Sequence, residues 1–181
     1  MTRATSVAPT GNHATLRQLA IRDTLLAEYD HEMATTRKVL ERVPEERLTW
    51  RPHERSMTLG GLAQHVANIP NWSTAILDDV TFELTSSPLH LAEPASHAAI
   101  MALFLASTAK ARRALDKADG ELSATWTLRR NGHEVFTMPR TAAFRTFVVN
   151  HIVHHRGQLS VYLRLNDVAV PAIYGPSADE G

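Results

Sequence analysis

Apolar residues along the chain fall into long helical stripes separated by short breaks. From about Leu16 to Arg42, Leu19, Leu26, Met33 and Leu40 recur every seven positions with Tyr29 between them, which predicts a long helix with one buried stripe. Pro44 stops it. Thr58 is placed to cap a second helix over Leu59 to Leu77, although Gly60 and Gly61 weaken propensity in its first turn and point to close packing or backbone motion there. After the loop "DDVTFELTSSPLHLAEP", Ile100, Phe104, Ala111 and Leu115 predict a third helix from Ser96 to Ala118, with Gly120 marking its end. The stretch "TWTLRRNGHEVFTM" alternates strand-forming residues around Asn131-Gly132, a strong signal for a two-stranded hairpin because both turn positions require positive φ. A fourth helix, Arg140 to Leu165, carries Phe144, Val148, His151, His155, Leu159 and Tyr162 along one face, followed by an irregular tail. Four helices of this length, each with a single apolar stripe, predict an all-α four-helix bundle with a small β-hairpin before the last helix.

Composition narrows the function more than the fold. The chain has 181 residues, expected to form one domain over residues 16–181 behind a flexible lead-in over residues 1–15, "MTRATSVAPTGNHAT". Lys plus Arg and Asp plus Glu are both 19, so no global charge draws the protein to nucleic acid or anionic lipid. The longest apolar run, Ala98 to Ala106, is about half of what a membrane-spanning helix needs, and the lead-in lacks a secretory apolar core. The expectation is a cytoplasmic protein that binds neither nucleic acid nor membrane. With no cysteine, disulfides, a thiol nucleophile and thiolate metal sites are excluded, and any metal must be held by His, Asp or Glu.

The candidate chemistry lies in "NHIVHHRGQLSVYLRL". Residues four apart on a helix differ by about 40° in direction, so His151 and His155 can reach one ion; His151 and His154, about 60° apart, can do so as well, and spacing leaves the choice open. An imidazole turned into a core needs partners on both ring nitrogens, and a metal on one with a hydrogen bond on the other supplies them. His65, mid-helix among Leu62, Ala63, Val66 and Ile69, is the natural third ligand, with His31, His53 and His133 as alternatives. Structural roles are expected for His31, His53, His90, His97 and His133, and solvated ones for Asp30 and Glu32.

The segment "HIVHHRGQLSVYLRLNDVAVPAIYGPSAD" closely resembles the C-terminal signature of the DinB family of DinB/YfiT-like metalloenzymes; "YDHEM" and "LTWRPHERSMTLGGLAQHVANIPNW" match it too. The resemblance implies an up-down-down-up four-helix bundle that holds a divalent metal through one histidine of the second helix and an H-x-x-x-H of the last. Carried onto this sequence, these are His65, His151 and His155, with His154 between the matching positions. Three imidazoles leave coordination positions open, as in catalytic and not structural zinc sites; they suit iron and copper as well as zinc and nickel, and zinc or nickel is the expected ion. Ile152 follows His151 where H-E-x-x-H proteases carry their glutamate, so protease chemistry is disfavoured and no general acid or base is assigned. Gln158 and Arg156 belong to the motif: Gln158 would orient a ligand or bond between helices, and Gly157 would mark close packing. Trp50, Trp72, Trp126 and Tyr162 are expected in core or interface positions more than around a pocket.

Relatives in the wider superfamily use low-molecular-weight thiols, which implies thiol S-transferase chemistry with a thiol cosubstrate and a small-molecule substrate. A metal-dependent hydrolase and a non-catalytic metal- or ligand-binding stress-response module are the alternatives, and the family's habit of pairing bundle faces implies a homodimer.

Overall fold

Residues 20–84 and 92–180 are described by the computed structural model of the protein. Its first helix, α1, spans Ile21–Leu40; the expected start at Leu16, like the lead-in and His90, lies outside the described residues. Leu25, Tyr29, Met33, Thr36 and Leu40 are buried, whereas Leu26 is only half-buried. Steps of three and four keep one face of a straight helix inward, while a strict step of seven drifts by about 20° per repeat. The first amides of α1 are capped from far along the chain: the Asp119 carboxylate accepts from Ile21 N at 3.0 Å and Arg22 N at 3.1 Å. The hydrogen bonds from Arg22 and Ile21 hold its pKa below the ordinary value.

Thr58 caps α2, Leu59–Asn68, its hydroxyl accepting from Gly61 N at 2.9 Å. The single helix expected over Leu59 to Leu77 is instead broken by a 3₁₀ turn, Ile69–Asn71, before α3, Trp72–Leu77. Pro70 explains the break, because it has no N–H to continue the ladder. A Cβ on Gly60 would lie 3.0 Å from the Leu48 carbonyl oxygen, so this glycine serves close packing of the preceding loop.

Ser96 caps α4, His97–Ala114, accepting from Ala99 N at 3.1 Å. The helix stops short of the expected Ala118, and Gly120 sits inside a separate short helix, α5, Asp119–Ser123. Leu115, just after α4, and Leu122 of α5 are buried, and α5 presents Asp119 to α1.

Strands β1, Thr81–Leu84, β2, Thr125–Arg130, and β3, His133–Pro139, form one sheet in the order β1-β2-β3. β2 and β3 are antiparallel around Asn131 and Gly132, whose φ values are 52° and 77°. β1 lies within the stretch expected to be loop, yet it pairs parallel to β2 with Thr81 opposite Thr127. Four residues are too few to display an alternation of their own, and β2 supplies the order.

The last segment runs from Arg140 to Leu165 as expected but is interrupted: α6, Arg140–Phe144, passes through a π turn, Arg145–Val149, into α7, Asn150–Leu165. A π turn takes one residue more than an α turn, so residues after it are rotated relative to those before. The buried stripe of α7 is therefore Ile152, Arg156, Leu159 and Leu163, with His151, His155 and Tyr162 half-buried at its edge and not in its centre.

The result is a mostly helical fold with a small three-stranded sheet. α1 packs against α4 and α7, α2 packs against the same two helices, and the sheet lies against α3 and α6. Among the described residues no helix is long and apolar enough to cross a membrane.

Among the described residues the core holds one full charge pair. Arg156 is 1% exposed, and its guanidinium lies 2.7 Å from Glu32 Oε2 of α1. It also donates to the Glu32 carbonyl and to Thr36 Oγ1, both at 3.1 Å, and to Tyr174 OH of the tail at 2.6 Å. Tyr174 OH donates to the Glu32 carboxylate at 2.9 Å; burial and that hydrogen bond raise its pKa. Glu32 is thus buried and paired, contrary to the solvated role expected from sequence, whereas Asp30 is exposed and pairs with Arg112. The close packing expected at Gly157 is absent too: a Cβ there would meet nothing within 4 Å.

Removing one partner of a buried pair leaves the other charge without compensation, so Arg156→Met is expected to destabilise the protein by about 3–5 kcal/mol in urea unfolding. Tyr174→Phe, which deletes one hydroxyl from the network, should cost about 1–2 kcal/mol. Equal, near-zero effects would mean that the pair does not hold the tail and helices together.

Candidate metal centre

His65 stands on α2, past its glycine-containing first turn, and His151 and His155 stand one turn apart at the start of α7. Packing of α2 against α7 brings them together: His65 Nε2 is 3.3 Å from His151 Nε2, which is 2.9 Å from His155 Nε2. One nitrogen from each of the three, all half-buried, lies within 4.8 Å of the others, a group able to hold a metal ion.

The remaining ring nitrogens explain how these rings are aimed. His155 Nδ1–H donates to Gln158 Oε1 at 2.7 Å, and the His151 imidazole donates to the Phe147 carbonyl one turn earlier, inside the π turn. With their other nitrogens engaged in this way, the Nε2 atoms of His151 and His155 are the ones that face the cluster. Nitrogens that converge so closely can be bridged by a proton or by a metal ion. A proton is disfavoured: burial lowers the pKa of His151, assisted by the nearby His155 and opposed by the Phe147 carbonyl. Burial also lowers that of His155, opposed by Gln158 and assisted by His154. A divalent ion fits the donor set, which is three imidazoles with second nitrogens satisfied in at least two of them.

His154, which competes with His155 on spacing, is exposed on α7, with its ring centroid 4.8 Å from that of His155. Among the described residues the other histidines stand apart from the cluster. His31 and His133 are exposed, His53 Nδ1 accepts from Arg55 N at 3.2 Å, and His97 Nε2 donates to the Leu40 carbonyl at 2.8 Å. Gln158 takes the orienting role, toward His155 and not between helices.

Among the aromatic residues, Trp72 packs at the centre, its ring 5.1 Å from His151 and 6.4 Å from His65. Trp126 is buried, donating to the Ala75 carbonyl at 2.8 Å, and Trp50 meets Tyr162 edge-on at 5.6 Å. Two contributors were not singled out from sequence in these roles: Trp72 as a wall of the site and Phe147 as a carbonyl acceptor. Their spacing was a usable signal, since Trp72 is two turns from His65 and Phe147 one turn from His151.

Comparison with known proteins gives a consistent picture. The sequence profile of the DinB family matches residues 12–181. YrdA, an uncharacterized protein of Bacillus subtilis strain 168, is 28% identical over 162 residues, covering 87% of this chain and 90% of its own. The crystal structure of a DinB-like protein from Bacillus cereus ATCC 10987 superposes with a TM-score of 0.68 at 23% identity, covering 86% of this chain and 98% of that one. A DinB-like protein of Bacillus subtilis, YjoA, gives 0.64 at 17% identity, covering 85% and 99%. The two structures share the fold.

The lowered histidine pKa values carry a stability consequence with a definite sign. In metal-free protein, His151 and His155 stay neutral when the unfolded chain, titrating near its ordinary value of about 6.5, already binds protons. Their contribution is present above that value and is lost as pH falls toward the folded pKa values. Chelator-treated wild type should therefore lose more stability between pH 7.5 and pH 5.5 than His151→Gln, measured by urea midpoints. Parallel pH profiles would remove the assignment. With metal present, Gln158→Leu should weaken binding by about 10- to 100-fold without changing the fold.

Proposed function

The chain belongs to the DinB family, and from that premise we propose that it is a metal-dependent enzyme of the thiol S-transferase type, with His65, His151 and His155 holding one zinc or nickel ion. The observation that carries the metal reading is the convergence of the Nε2 atoms of His65, His151 and His155, which puts one nitrogen of each ring within 4.8 Å of the others. In this reading α1, the α2 and α3 unit, α4, and the α6 and α7 unit are the members of an up-down-down-up four-helix bundle, supported by the packing of α1 and α2 each against both α4 and α7. The histidines come from two of those members.

When bound, a divalent ion supplies Lewis acidity that lowers the pKa of a thiol and makes its thiolate available near neutral pH. The chain has no cysteine, so the thiol is exogenous. In the transfer, its sulfur forms a bond to an electrophilic carbon of the acceptor, the leaving group departs with the electron pair of the broken bond, and the thiol proton passes to solvent. The chain's own residues orient and desolvate: Gln158 and the Phe147 carbonyl lock the His155 and His151 rings, and Trp72 covers one side of the histidine cluster. Ile152, next to His151, supports transfer over peptide hydrolysis because no carboxylate stands where a water-activating base would be needed.

Elemental mass spectrometry on tag-free protein should find one equivalent of metal in wild type and in His154→Ala, and none in His65→Ala or His155→Ala. The metal-loaded protein should then conjugate small thiols to a chlorodinitrobenzene acceptor. Absence of metal after zinc and nickel supplementation would sink the site; full metal occupancy with turnover in water alone would replace transfer by hydrolysis.

A further inference from the structure

Behind Trp72 lies a cavity of about 290 Å³ walled by α3, β1, β2 and the π turn. Among the described residues nine line it, and of these Asn71 alone lacks an apolar side chain. The walls are fixed by specific contacts. Trp126 Nε1 ties β2 to the Ala75 carbonyl of α3, and the Phe147 ring is stacked on Phe136 at 5.5 Å and packs on Trp126 at 6.0 Å.

Two lining residues also belong to the histidine cluster. Trp72 presents its ring to His151 at 5.1 Å, and Phe147 contributes the carbonyl that accepts from His151. The cavity and the candidate metal centre are therefore neighbours across one aromatic ring and one helical turn. A cavity of about 150 Å³ holds benzene, so the space here is of the size of a one- or two-ring molecule, and small-molecule sites typically combine such apolar walls with a few polar groups at one end.

We infer that this cavity seats the uncharged, aromatic or branched aliphatic body of the acceptor substrate, whose polar reacting end extends past Trp72 to the histidines. The inference rests on the metal-centre reading and adds its substrate class: a small amphipathic electrophile with a neutral ring-sized apolar part. A charged body is disfavoured because, among the described residues, no ionisable side chain lines the cavity to offset its desolvation.

The test uses full-length protein with indole and toluene as neutral probes and benzylammonium as the charged counterpart, followed by ligand-observed NMR. Indole and toluene should bind at one site, with benzylammonium at least tenfold weaker. Leu128→Trp and Ala75→Phe each place bulk in the cavity away from the histidines; either one that folds should still take up one equivalent of metal but bind indole at least tenfold more weakly. Indole protons should relax faster in cobalt-loaded than in zinc-loaded wild type, reporting proximity to the ion. Unchanged indole affinity in a folded filled variant, or no relaxation difference in metal-loaded wild type, overturns the assignment. Failure to bind any metal with indole binding intact and lost on filling would overturn the metal centre instead, leaving the cavity as an apolar-ligand site. Full metal occupancy with no indole or toluene binding would overturn the cavity alone.

Discussion

A guanidinium buried in a helical core has to be met by a carboxylate and by enough acceptors for its remaining N–H groups, and that requirement organises this protein. Arg156 of α7 is met by Glu32 and Thr36 of α1 and by Tyr174 of the tail, so the first described helix and the tail are both tied to one side chain. A buried pair of this kind contributes little net stability over an apolar substitute, but it tolerates few alternative registers. Its position matters because Arg156 follows His155 directly. Fixing the guanidinium toward α1 leaves the preceding imidazole at the edge of the buried stripe, where it meets His151 and His65.

Two interruptions of regular helix then aim the remaining groups. The 3₁₀ turn at Pro70 separates α2, which carries His65, from α3, which begins at Trp72. The π turn over Arg145–Val149 rotates α7 relative to α6 and contains the carbonyl that His151 uses. Each break departs from the most economical helix, and each lies within two turns of a histidine. π turns are concentrated at functional sites because the added residue shifts which side chains face a cleft.

The cluster joins low polarity to a specific donor set. Half-buried imidazoles with depressed pKa values remain neutral ligands at physiological pH, and their outer nitrogens are committed to Gln158 and to backbone. Beside them is an apolar cavity whose walls are cross-braced by aromatic contacts. A three-histidine group able to hold a Lewis-acidic ion and an apolar receptacle sharing the wall of Trp72 would together suit chemistry on small molecules with one polar, reactive end.

Much of this was legible in the chain itself. Helical periodicity located the main helical segments, Thr58 and Ser96 marked two starts, and Asn131-Gly132 marked a turn, because these signals act over a few residues and depend on local backbone sterics and caps. The resemblance of the second and last helices to a known family singled out His65, His151 and His155, where spacing alone left His154 competing with His155. What tertiary structure decided was of another kind. Thr81–Leu84 became a strand only because β2 offered an edge, and Glu32 became a buried partner only because Arg156 reached it from the far end of the chain. Gly157 proved open to solvent, and Trp72 became a wall shared by two sites. These outcomes depend on desolvation and on contacts between residues separated by much of the sequence, and a local pattern carries neither.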